Sequence, residues 1–235
     1  MFYGCTALTK APTLPAKILA DYCYQNMFYG CSALKTAPEL PAESLAGGCY
    51  QGMFKNCTSL TTAPTLSATT LADGCYQEMF SGCTALETAP ALRAETLAES
   101  CCLEMFSGCS KLTTAPALPA QSLAKSCYQR MFKNCTSLTT APTLPAGKLA
   151  EYCYQEMFSG CSKLSSVTML ADDVSAQDCL FQWLIKAGTS VQESQKPTLY
   201  LDTSVYNRDV YNKEFDEWAP KYQIYENWVV QPLCE

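Results

Sequence analysis

One spacing governs this chain. A Met-Phe pair begins at Met1, Met27, Met53, Met79, Met105, Met131 and Met157, each 26 residues after the last. The surrounding segment, Cys23 to Cys31, returns with little change from residues 49, 75, 127 and 153, and with one half altered from residue 101. A fixed period of this length marks a solenoid, in which each repeat is one unit stacked on the next. Without it, 235 residues would be read as one or two globular domains. With it, the apolar surface becomes a continuous seam running along the stack.

Composition then excludes several functions. The net charge is −6, which argues against nucleic acid, because phosphate binding needs clustered Lys and Arg. No stretch approaches the ~20 consecutive apolar residues of a membrane span. There is no histidine, so neither a Ser-His nor a Cys-His pair can form, and no catalytic constellation or cofactor motif is visible. Met1 is also the Met of the repeat, so the chain opens halfway through a unit. The expectation is a fragment whose missing upstream part carries a capping segment and a secretion signal.

Sixteen cysteines suggest a disulfide framework until they are placed on the repeat. Cys5, Cys31, Cys57, Cys83, Cys109, Cys135 and Cys161 form one ladder, and Cys23, Cys49, Cys75, Cys101, Cys127, Cys153 and Cys179 a second. Cys102 and Cys234 stand outside both. No pair has C-x-x-C spacing, so a metal site is not expected. Within a ladder the side chains point the same way, which suits stacked, reduced thiols acting as small hydrophobes better than the bent geometry of a disulfide. Bridges between adjacent coils in an oxidising compartment are the rival reading.

Within one unit, residues 41–54 place apolar side chains at Ala42, Leu45, Ala46, Cys49, Tyr50, Met53 and Phe54. This i, i+3, i+4 stripe predicts an amphipathic helix, with Pro41 in its first turn. The residue before each ladder Cys is Gly4, Gly30, Asn56, Gly82, Gly108, Asn134 or Gly160. Gly and Asn tolerate the left-handed conformation just past a helix end. The following stretch carries Leu34, Ala37 and Leu40 at a spacing of three, and Pro38 recurs as Pro12, Pro64, Pro90, Pro116 and Pro142. Proline is avoided in central strands, so a short parallel strand of about three residues around Thr36 is expected. Strands stack at about 4.8 Å and helices at 8–10 Å, a mismatch that bends the stack with the strands inside.

The pattern decays after Cys161. A last helix is expected over 175–186, stopped by Gly188, then a polar loop over 189–196, a strand at Thr198–Leu201, a helix from Asp209 to Trp218 and a strand from Tyr222 to Val230. This strand–helix–strand would extend the same parallel sheet. Trp183, Trp218 and Trp228 all lie here. They suit a cap that seals the apolar seam, with an aromatic sugar platform as the alternative. Cys102 replaces the Tyr of other repeats and is read as local repacking rather than a reactive thiol. Asp172 and Asp173 lack a spaced oxygen-ligand pattern for calcium. Gln25, Gln51, Gln77, Gln129 and Gln155 suggest a hydrogen-bonded row.

The layout of Met53, Phe54, Cys57 and Leu60, repeated at Met79, Phe80, Cys83 and Leu86, resembles the BspA-like leucine-rich repeats of bacterial surface proteins. The period of 26 is longer than is typical of that family. The resemblance implies a horseshoe-like solenoid, export to the surface, adhesion or protein recognition, and no catalytic residues. The expectation is therefore an α/β leucine-rich-repeat solenoid over 1–170 with strands inside and helices outside, and a capping region over 171–235. The expected function is a non-enzymatic, cell-surface or secreted module that binds a protein, without metal or cofactor. A glycan-binding protein and a structural spacer displaying another domain are the alternatives. The inner surface is where solenoids usually bind, which points to Thr9, Lys35, Thr61, Glu87, Thr113 and Thr139. Solvation and β-propensity account for the same residues equally well.

Overall fold

The computed structural model describes residues 1–211, 213, 222, 224 and 227–233. Successive repeats stack coil on coil, and parallel bridges join residues 26 apart: Thr36 to Thr62, Thr70 to Thr96, Thr88 to Thr114, and Thr114 to Thr140. On this side the coil contributes one bridged residue where a strand of about three is expected. Pro38 and its equivalents, two residues on, have no N–H with which to extend the ladder.

The wall expected to be helical is not a helix. Residues 47–56 and their equivalents form consecutive turns. Every fourth residue is left-handed: Tyr22, Asn26 and Gly30 in one coil, Gly48, Gly52 and Asn56 in the next, Gly74, Glu78 and Gly82 after that. The same holds for residues 175–186, where Asp178, Gln182 and Lys186 have positive φ. The Gly/Asn column is thus left-handed as predicted, but it ends a run of turns rather than a helix.

Hydrogen bonding explains the substitution. Even-numbered N–H groups of the first coil donate to the second: Tyr24 N to Cys49 O at 3.0 Å and Phe28 N to Met53 O at 2.9 Å. Odd-numbered ones close turns inside the coil, as Gln25 N to Tyr22 O at 3.1 Å and Tyr29 N to Asn26 O at 3.2 Å. In the coil of residues 47–56 every backbone N–H of the wall finds a partner, as burial requires. An α-helix would keep all these bonds within the coil. Because both walls now bond directly from coil to coil, the helix–strand spacing mismatch that predicted a bent horseshoe is gone.

The core lies between the walls. Phe2, Phe28, Phe54, Phe80, Phe106, Phe132 and Phe158 stack face to face with centroids 5.5–5.7 Å apart. Leu34, Leu60, Leu86, Leu112, Leu138 and Leu164 are fully buried beside them. The turn-ladder cysteines do more than fill space. Cys57 Sγ donates to Phe28 O at 3.1 Å, and Cys83, Cys109, Cys135 and Cys161 repeat the contact with Phe54, Phe80, Phe106 and Phe132. All fifteen described cysteines are free thiols.

At the far end, strands β1 (Ser166–Met169), β2 (Thr198–Leu201) and β3 (Val229–Pro232) form a parallel sheet in that order. Bridges from Thr140 to Ser166 and from Leu144 to Met169 join it to the coils. Strand β2 matches its expected span. Helix α1 (Thr203–Asp209) starts six residues before the expected one, because Asp202 caps it by accepting from Ser204 N at 2.8 Å. Most of the remainder of the expected helix, Trp218 included, lies outside the described residues. Strand β3 starts at Val229, so the described residues Tyr222, Ile224 and Trp228 precede it rather than form it. Trp183 is fully buried and donates to Tyr222 O, and Trp228 donates to Ala187 O at 3.3 Å. Buried in this way, neither can serve as a sugar platform; both seal the last coil.

Candidate functional site: the strand-side face

The period brings Thr9, Lys35, Thr61, Glu87, Thr113 and Thr139 into one column, and all six are exposed. Backbone and hydroxyl bonds couple some of them. Thr61 donates from N at 3.0 Å and from Oγ1 at 3.2 Å to Lys35 O. Thr113 does the same to Glu87 O at 3.3 and 3.4 Å, and Ser165 to Thr139 O at 2.9 and 2.8 Å. A threonine here gains a bond to the preceding coil, which gives a structural reason for its recurrence. Lys35 and Glu87 contribute carbonyls to these bonds and leave their side chains to solvent.

A second exposed column runs beside the first: Thr36, Thr62, Thr88, Thr114 and Thr140. Sequence reasoning passed over it, since alternation in a strand would have turned one of two neighbours inward. In this column the bridge involves a single residue of each coil, with neither chain neighbour bridged, which lets both face out.

Among the described residues, no backbone hydrogen bond links 61–66 to 87–92, nor 9–14 to 35–40. The coils open at both places. A depression of about 340 Å³ lies between Thr62-Ala63-Pro64 and Thr88-Ala89-Pro90, with Arg93 at its edge. One of about 380 Å³ lies between Ala11-Pro12 and Ala37-Pro38, with Lys10 and Glu39 on its rim. Each has an apolar Ala-Pro floor beneath hydroxyls and charges, the mixture that binding clefts use.

The other titratable groups have structural partners. Asp173 accepts from Ser175 N at 3.0 Å and Ser175 Oγ at 2.6 Å and pairs with Lys148 at 3.4 Å, which together hold its carboxyl down at about 2. Among the described residues no cluster of three potential metal ligands forms. Cys102 is fully buried, and its hydrogen bond with Cys101 and its burial hold it well above the usual thiol range, the opposite of a reactive thiol. On the turn wall, Glu156 meets Arg130 at 2.7 Å and Lys133. Burial raises its pKa, but the hydrogen bonds from Lys133 and Arg130 outweigh this and hold the carboxyl below the usual range. The glutamine row forms in two pieces, Gln25 to Gln51 at 2.8 Å and Gln129 to Gln155, and Leu103 interrupts it.

The sequence profile of the BspA-type leucine-rich repeat region matches the chain in six copies, over residues 1–90 and 77–183. The chain belongs to the BspA-type leucine-rich repeat family. A comparison with curated proteins gives no match. Membership makes the chain a repeat module of a class that serves protein interaction, is typically non-enzymatic and is typically surface-associated in bacteria. No described helix is long and apolar enough to cross a membrane. The recurrent Leu, Phe, Cys, Met and Tyr fill the stack, and the exposed residues between them differ from coil to coil.

Proposed function

We propose that this BspA-type module is exported, is displayed at or released from the bacterial surface, and recognises a protein partner through its strand-side face. Residues 1–170 supply the recognition surface and 171–235 close the stack. The observation that carries the reading is a paired column of exposed residues running beside two Ala-Pro depressions, with charge variation confined to a few positions. Lys10, Lys35, Glu39, Glu87 and Arg93 break an otherwise Thr-rich, uncharged pattern at or beside the open coil interfaces. Such departures set register and partner choice, while the apolar floor excludes water.

The test is charge reversal. The variant Lys35→Glu with Glu87→Lys keeps net charge, and both side chains are exposed, so its unfolding midpoint should stay within error of the parent. Binding to intact host cells, or to the extracellular-matrix protein those cells present, should weaken about tenfold or more. Unchanged binding after replacement of all six column residues would overturn the proposal.

A further inference from the structure

The turn wall carries a depression of about 270 Å³ lined by Tyr22, Gly48, Gln51, Asp73, Gly74, Gln77, Glu99 and Ser100. It lies on the wall opposite the strand-side face and shares no residue with it. One column of left-handed residues runs beneath it: Tyr22, Gly48, Gly74, Ser100, Ser126, Tyr152 and Asp178, all with φ between 48 and 58°. Five of the seven carry side chains, so the backbone does not demand glycine at this position. Gly48 has a packing reason, since a Cβ there would fall 2.4 Å from the Tyr22 ring. Gly74 has none: the only atom near its Cβ direction is Gln77 Oε1, at 3.3 Å. Its effect is to leave the space open.

The rim is chemically mixed. Tyr22 packs on Gly48 and is 59 % exposed, so much of its ring still meets solvent. Gln51 accepts from Gln25, which leaves its own amide N–H free to donate. Among the described residues Gln77 makes no side-chain hydrogen bond, and the next member of its row is Leu103. Asp73 spends one carboxylate oxygen on Glu99 N at 3.0 Å. Among the described residues neither Asp73 nor Glu99 forms an ion pair. The depression therefore offers an aromatic face, amide donors and acceptors, and carboxylate acceptors, with no cation.

From this geometry we infer a second binding site, for an uncharged sugar ring of a glycan. A pyranose presents an apolar face suited to an aromatic ring and a rim of hydroxyls that donate and accept together, matching carboxylate and amide groups. An acidic sugar or phosphate would meet Asp73 and Glu99 without a counter-charge. A purely apolar ligand would strip water from the amides and carboxylates and replace none of it. The volume lies just below the ~300–1,000 Å³ of typical ligand sites, fitting one ring rather than a folded segment. The role is independent of the strand-side reading, since either face can be altered alone.

Two variants test it with residues that the same column already holds elsewhere, so the fold should accept both. Tyr22→Ser removes the aromatic face, and Gly74→Tyr fills the depression. Glucose, galactose, mannose, N-acetylglucosamine and their β-linked disaccharides are titrated into the ¹⁵N-labelled chain. The expected result is saturable shifts of the Gly48 and Gly74 backbone amides and of the Gln51 and Gln77 side-chain amides with at least one sugar. Both variants should weaken that binding at least tenfold, and Glu87→Ala should leave it unchanged. The inference is overturned if no sugar in the panel shifts these resonances up to its solubility. It is equally overturned if the shifts persist in both variants, or if calcium chloride or an uncharged peptide moves them where the sugars do not.

Discussion

At the scale of single residues, the Gly/Asn column separates two effects that glycine normally hides. Asn56 Oδ1 lies 2.2 Å from where a Cβ of Gly82 would be, while a Cβ at Gly108 would meet only Gly82 backbone atoms at 3.7 Å. Both positions are left-handed, with φ of 74 and 75°. Gly108→Ala should therefore cost only the conformational strain, about 1 kcal/mol. Gly82→Ala should cost more, because Asn56 must swing away and give up its 3.2 Å bond to the Tyr29 hydroxyl. Adding Asn56→Gly to Gly82→Ala should remove the steric part of the loss, leaving the strain and the missing bond to Tyr29. Urea unfolding of the parent, Gly82→Ala, Asn56→Gly, their double variant and Gly108→Ala decides it, and a double-mutant cycle with no coupling would refute the steric part. The thiols give a second residue-level outcome. Cys57 and Cys161 are buried and desolvation pushes both up to about 12, whereas Cys5 and Cys23 are exposed. Among the described cysteines, a water-soluble disulfide reagent near neutral pH should label only Cys5 and Cys23 in native protein. Rapid native labelling of Cys57 would contradict the buried ladder.

At the scale of the element, the aromatic row has one break that can be repaired. Tyr50 stacks on Tyr76 at 6.2 Å and Tyr128 on Tyr154 at 6.3 Å, and Cys102 stands between the two pairs. Cys102→Tyr should complete the stack and stabilise the chain by about 1 kcal/mol; a lower unfolding midpoint would mean that the coil has closed around the thiol. The charged patch gives a test of opposite sign. The Glu156 pKa lies below its unfolded value, so its contribution is present above about 4.3 and is lost as pH falls through the lower folded value. Glu156→Gln should lose about 1 kcal/mol at neutral pH, leaving Arg130 and Lys133 short of a partner, and should flatten the acid limb of the stability profile. These elements also show where the sequence was legible. The 26-residue period places every neighbour between coils, so the strand-side column, the thiol ladders and β2 could be read directly. The turn wall could not. Its inward pairs, Leu45-Ala46, Cys49-Tyr50 and Met53-Phe54, recur every four residues. Over so short a span this fits a 3.6-residue helix too, although a helix would rotate the pairs by about 40° each time. The outward pairs at 51–52 and 55–56 keep the same spacing of four, and that was the discriminating signal. The left-handed positions other than the Gly/Asn column stayed hidden because Tyr, Glu, Ser and Arg fill them as well as Gly. The two depressions were invisible for another reason: they arise from backbone bonds that fail to form between particular coils.

At the scale of the whole molecule, burying a thiol in every coil ties stability to alkaline pH. Desolvation holds Cys49 up at about 11, and Cys57, Cys109, Cys153 and Cys161 at about 12. An unfolded cysteine titrates at about 8.5. The folded pKa is the higher one, so the neutral thiol is favoured in the stack. That stability is fully present below about 8.5 and is lost as pH rises toward the folded values. Buried tyrosines act in the same direction: burial raises Tyr50, Tyr76 and Tyr128 above their usual range. Each coil contacts only its neighbours, so loss in one coil removes an interface from the next and the effect accumulates along the stack. The urea midpoint should be nearly flat between about pH 6 and 8 and fall steeply above about 9. Titration of the buried tyrosines would also produce an alkaline decline, so the slope must be assigned by variant. Cys109→Ala should lower stability at pH 7, since it deletes the thiol's bond to Phe80 O, and at the same time make the alkaline slope shallower. A parent profile that stays flat to about pH 11, or a Cys109→Ala slope equal to the parent's, would show that the thiols do not govern the alkaline limit.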